Sequence, residues 1–120
     1  MLRVSAMTTE TEIDLQGING DAASAAVSID CGTELMAFAE AITYRETRQL
    51  IDSRQALLDA GGAAVLVDAA GVAANFQRMV RIADSIGIPV DDMEMEVGQE
   101  VRATLDLTRF ASAQNTLNPA

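Results

Sequence analysis

The stretch Ala63-Ala-Val-Leu-Val-Asp-Ala-Ala-Gly-Val-Ala-Ala-Asn-Phe-Gln-Arg-Met-Val-Arg-Ile-Ala-Asp-Ser-Ile-Gly-Ile-Pro89 decides the fold. Within it Val65, Ala69, Val72, Phe76, Met79, Ala83 and Ile86 recur at spacings of four and three, so a helix over residues 63–86 gathers them into one stripe. A second row, Leu66, Ala73 and Val80, runs beside the first. The stretch also carries its own stop: Gly87 accepts left-handed backbone after the cap, Ile88 folds back on the last turn, and Pro89 forbids continuation. Gly71 costs about 1 kcal/mol relative to alanine inside a helix. With Ala69, Ala70, Ala73 and Ala74 around it, the segment is narrow enough for another helix to pass close by.

Working outward, Gly61-Gly62 supplies the positive φ that ends an earlier helix whose apolar side is Leu50, Ile51, Leu57 and Leu58. Before that, Leu35, Met36, Phe38, Ala39 and Ile42 share a face of a helix that starts near Thr33, with its end and a turn at residues 43–47. Downstream, Asp91 and Glu94 read as a capping box. Met93, Val97, Val101 and Leu105 at spacing four predict a helix there, in preference to the strand alternation of Val101, Ala103, Leu105 and Leu107. The fold class is therefore all-α: a small bundle of three to four helices with a long central helix at about 63–86.

Residues 1–30 are rich in Thr, Ser, Asp, Glu, Gln and Gly, with turn signals at Gly17 and Asn19-Gly20. They read as a flexible arm in which only residues 21–29 favour a short helix, and Met7 offers a second start. Residues 31–112 form the helical domain and residues 113–120 a frayed tail.

Composition narrows function. With 18 Asp plus Glu against 8 Arg and no Lys, the formal charge of −10 repels phosphate backbones and anionic membrane surfaces. The arginines are dispersed, so no basic footprint forms and no nucleic-acid partner is expected. The nearly uncharged residues 60–76 are interrupted by Asp68 and short for a bilayer, and no signal peptide is read at the start, so no membrane association is expected. The single cysteine, Cys31, fits a reducing, cytoplasmic setting.

The chain has no His, which removes the commonest general base near neutral pH and the commonest imidazole ligand. One Cys without His builds no zinc site, and Gly61-Gly62 lacks the Lys and spacing of a phosphate loop, so neither metal nor cofactor is expected. Met36, Met79, Met93 and Met95 read as core or interface filler, and Glu40 and Glu46 as lone carboxylates. Cys31 precedes a helix whose amides favour a thiolate, but Asp30 and Glu34 oppose it and no second Cys resolves a sulfenic acid. It is the weak catalytic candidate. Asp68 and Asn75, two turns apart with Gly71 between them and Arg78 a turn beyond, are the weak binding candidates, and a solvated helix flank accounts for them equally well.

The segments Leu35-Met-Ala-Phe-Ala-Glu-Ala-Ile-Thr43, Leu57-Leu-Asp-Ala-Gly-Gly62 and Leu66 through Pro89, with Asn75, Phe76, Arg78, Ala83, Asp84, Gly87, Ile88 and Pro89 at its end, carry a family pattern. Over about residues 34–92 the chain resembles the C-terminal helical half of the alkylhydroperoxidase-like, carboxymuconolactone-decarboxylase-like superfamily. The resemblance implies an all-α fold assembling into dimers, trimers or hexamers. Redox members use a Cys-x-x-Cys pair with a His and an upstream Glu, and decarboxylase members a His-based site. Here Cys31-Gly-Thr-Glu34 holds one of the two cysteines and no His follows, so no catalytic residue carries over.

The leading expectation is a degenerate or partial member of that family, a helical homo-oligomer through its long helix, without independent peroxidase or decarboxylase activity. The alternatives are an enzyme subunit whose site is completed by another chain, with Cys31 or the Asp68–Asn75 flank contributing, and a small acidic adaptor binding a protein partner.

Overall fold

A computed structural model of the protein describes residues 2–10, 13–27, 29–89 and 94–117. All regular elements among them are helical: α1 (Leu2–Thr8), α2 (Ala22–Ala26), α3 (Gly32–Tyr44), α4 (Thr47–Ile86), α5 (Glu96–Thr104) and α6 (Gln114–Leu117), with 3-10 turns at Leu15–Asn19, Leu107–Arg109 and Ala111–Ala113. The chain divides into two compact units, Met1–Gln77 and Arg78–Ala120. That division falls inside the long helix, whereas the sequence placed its divisions at residues 30 and 112.

In the first unit, α3 starts where Gly32 is pressed against α2: a Cβ built on Gly32 would lie 1.8 Å from the Ala25 carbonyl oxygen. Only glycine tolerates that approach. Gly17, in the preceding 3-10 turn, brings its backbone up to Ala25 as well, a Cβ there falling 3.2 Å from the Ala25 Cα. The short α2 survives between them because Asp21 caps it, its carboxylate accepting from the amides of Ala23 at 2.9 Å and Ser24 at 3.3 Å. Leu15, Ser24 and Ala25 are buried. Part of the stretch read as a loose arm is thus packed, through backbone approach rather than through large side chains.

Along α3, Phe38 and Ala41 are buried, Leu35, Met36 and Ile42 half-buried, and Ala39 exposed. The buried line therefore runs through Ala41, where the spacing argument had placed Ala39. The helix ends at Arg45, whose φ of 58° puts a non-glycine residue in the left-handed region.

The first part of α4 packs through Leu50, Ser53 and Leu57, with Leu57 fully buried. Ile51 and Leu58, assigned to the apolar side from sequence, are exposed instead, because Ser53 completes the row at spacings of three and four. Gly62 then breaks the helix as its sequence requires, with φ 79° and ψ 175° between two helical stretches. Beyond it the long helix is regular, and near the end of the unit the Gln77 side-chain amide donates to the Thr43 hydroxyl at 3.3 Å.

The stripe expected to be core is only partly covered. Val65 and Ala69 are half-buried, while Val72 and Phe76 are exposed, Phe76 at 50%. Periodicity sets which side chains share a face of the helix, not whether another element covers that face.

In the second unit, α4 closes as its three-residue signal dictates. Gly87 takes φ 62°, the Ile88 amide donates to the Ala83 carbonyl at 3.1 Å, and the Gly87 amide donates to Asp84 at 3.3 Å. Residues 96–104 are helix, not strand, with Val97 and Val101 half-buried and Leu105 buried just past its end. The capping residue Asp91 and the stripe residue Met93 lie outside the described residues. Met79, Val80 and Ile86 on this unit's part of α4 are exposed.

Candidate functional site

Cys31 sits at the N-terminal boundary of α3 in left-handed backbone, φ 55° and ψ 26°, and is half-buried. Its side chain makes no capping hydrogen bond, while its carbonyl accepts the first helical bond from Leu35 at 2.8 Å. The thiol is free. A redox role at this position needs a resolving partner, and the chain holds no second cysteine.

Asp68 and Asn75 are exposed on the first unit's part of α4, and Arg78 is exposed at the start of the second unit. All three are surface residues of one helix. Gly71, lying between Asp68 and Asn75 in sequence, has open space where a Cβ would stand. No group of three or more Cys, Asp or Glu positioned to hold a metal ion occurs among the described residues. Met36 is half-buried on α3, and Met79 and Met95 are exposed.

The built polar constellation lies elsewhere, where the sequence reading put none. Asp14 receives the Ser24 hydroxyl at 2.8 Å and the Gln16 amide at 2.9 Å. These two bonds, the backbone amide first and the hydroxyl second, hold the Asp14 carboxyl below the usual carboxylate range. Ser24 is buried, so its hydroxyl needs such a partner, and Asp14 supplies it across ten residues of sequence. Both carboxylate oxygens of Asp14 are engaged, which makes it a clamp between the 3-10 turn and α2 rather than a free base. An Asp two residues before a Gln in a turn is the only local signal for it, and the Ser24 contact has none.

The feature with most capacity to bind something is apolar. On α4, Val72, Phe76, Met79, Val80 and Ile86 are each about half exposed or more. Among the described residues α4 is also the one helix long and apolar enough to cross a membrane by length and composition, with 6% of its most apolar window buried. Apolar surface of this kind is recognised by other apolar surface and does no chemistry of its own. Compared with known proteins, the chain matches no family model, no curated sequence and no solved structure.

Proposed function

We propose that this protein is a degenerate or partial member of the carboxymuconolactone-decarboxylase-like, alkylhydroperoxidase-like family that works as a self-associating helical scaffold, with no peroxidase or decarboxylase activity of its own. The observation that carries the self-association is the stripe of α4, in which Val72, Phe76, Met79 and Ile86 stay open to solvent. The family part of the reading rests on the residues of 34–92 quoted above. The lack of independent activity rests on the donor set: one cysteine, no histidine, and a helix boundary at Cys31 without a second thiol. A lone cysteine, unable to form an internal disulfide, favours a reducing cytoplasmic location.

Two measurements test this reading. Light scattering or sedimentation at micromolar concentration should report a dimer or larger, and a 12.7 kDa monomer would overturn the scaffold. An assay of peroxide consumption with a dithiol reductant should give the same background rate for the wild type and Cys31→Ser. Turnover that vanishes in the variant would instead make Cys31 catalytic.

A further inference from the structure

We propose that Asn19-Gly20 is a self-modification site, in which Asn19 cyclises onto the Gly20 nitrogen once α2 releases the turn before it, and the isoaspartate so formed keeps that release from being reversed. The proposal concerns the first unit alone and does not depend on how copies of the chain associate.

The chemistry belongs to this pair of residues. The Gly20 amide nitrogen attacks the carbonyl carbon of the Asn19 side chain and a carbon–nitrogen bond forms. The side-chain amide nitrogen leaves as ammonia, taking up the proton that the Gly20 amide gives up. Water then opens the cyclic imide at one carbonyl or the other, giving aspartate or isoaspartate, and in the second product the main chain runs through the former side chain and is longer by one atom. A glycine after the asparagine permits the approach because no Cβ obstructs it. Asn75, Asn115 and Asn118 are followed by Phe76, Thr116 and Pro119, so Asn19 is the one asparagine with a glycine behind it.

The folded turn holds this exposed pair back. Asn19 is the last residue of the 3-10 turn Leu15–Asn19, and ring closure needs a backbone other than the helical one. Its side-chain amide donates to the Gln16 side-chain oxygen at 3.1 Å, which ties the group that must swing toward Gly20 back into the turn. The Gly20 amide, the nucleophile, is itself engaged, donating to the Gly17 carbonyl at 3.2 Å. The Glu40 carboxylate of α3 also stands beside Gly20, its Oε1 lying 3.3 Å from where a Cβ would be. A negative charge there disfavours loss of the amide proton.

These restraints depend on α2. Gly17 is pressed against Ala25, and the Asp21 amide donates to the Gln16 carbonyl at 3.2 Å while its carboxylate caps α2 at Ala23 and Ser24. Asp14 joins the Gln16 amide to the Ser24 hydroxyl. A helix of five residues does not persist without such contacts. Local opening of a short element precedes global unfolding, and when α2 opens the turn loses its anchors at both ends. The return path is then blocked. Isoaspartate at residue 19 inserts its extra main-chain atom between the Gly17 contact and the Asp21 cap, and adds a carboxylate beside Asp21 and Glu40. With 3.2 Å between a Gly17 Cβ and the Ala25 Cα there is no slack to absorb it.

The test is to incubate the full chain at physiological temperature in neutral buffer and in urea, and to follow residue 19 by peptide mapping with isoaspartate-specific methyl labelling. Isoaspartate should accumulate about tenfold or more slowly in buffer than in urea, since only the opened fraction reacts. Asp21→Ala removes the cap and leaves the Asn-Gly pair, so it should raise the rate in buffer about fivefold, whereas Asp21→Asn keeps a capping side chain and should stay near the wild type. Equal rates in buffer and urea would overturn the restraint by the fold. An unmodified residue 19 in urea would remove the site itself, and an Asp21→Ala rate no higher than the wild type would remove the link to α2. In the purified isoaspartate form the Ala25 amide, which donates to the Asp21 carbonyl at 3.0 Å, should exchange with solvent faster than in the unmodified chain. Unchanged exchange would overturn the claim that the modification keeps α2 open.

Discussion

The clasp of α2 onto α3 and the distal half of α4 are opposites in how sequence relates to packing. Around Ala25 the sequence has no apolar period, yet Gly17 and Gly32 bring two backbones into contact with it and Leu15, Ser24 and Ala25 are buried. Along residues 65–86 the period is sustained over six helical turns, yet Val72, Phe76, Met79 and Ile86 are open to solvent. Periodicity reports which side chains share a face, and whether that face is covered depends on what stands opposite it. Close backbone approach covers a small residue without any periodic signal at all.

That contrast can be broken most strongly at Leu57, the fully buried member of the first unit's core. Leu57→Ala should cost about 2–5 kcal/mol, read by urea unfolding at fixed protein concentration. A loss below about 1 kcal/mol would mean that the proximal part of α4 is no better packed than its distal part. Gly32→Ala comes next, since its methyl would occupy the space of the Ala25 carbonyl. Overpacking of this kind costs about 1–3 kcal/mol, and a neutral result would remove the clasp. Phe76→Ala sharpens the comparison differently. At half exposure it should cost little where the chain is monomeric and about 3–5 kcal/mol where the stripe is core, so its cost should grow with protein concentration.

The smallest effect is electrostatic. The folded Asp14 carboxyl is held below its ordinary range by the Gln16 amide and the Ser24 hydroxyl, so its contribution is fully present above the unfolded pKa and is lost as pH falls through the folded one. Acid titration of stability should show this loss in the wild type and a shallower acid limb in Ser24→Ala. Identical limbs in the two proteins would mean that the bond across ten residues adds nothing to the clasp.

Much of the helical outline was legible because its signals are local. The break at Gly62, the stop through Gly87 and Ile88, and the helix over strand at residues 96–104 each follow from signals carried within the segment itself, glycine conformation in the first two and apolar spacing in the third. The buried faces were legible only approximately. Ala41 in place of Ala39, and Ser53 in place of Ile51 or Leu58, are choices made by neighbours in space. The Asp14–Ser24 clamp and the glycine contacts on Ala25 were illegible for the same reason, since each is a tertiary approach between residues of unremarkable type. For the site, sequence could name the chemistry missing from the chain, a histidine and a second thiol, because absence from a sequence needs no geometry.

Left-handed backbone at Cys31, Arg45 and Asp106, with φ of 55°, 58° and 49°, leaves this protein with thermal headroom it has not used. A side chain at such a position costs about 1–2 kcal/mol, only part of which glycine returns as flexibility in the unfolded chain. Three helix boundaries are therefore places where a single codon change to glycine can harden the fold without touching a buried residue. An engineer seeking a sturdier version would begin with Arg45, the exposed C-cap of α3.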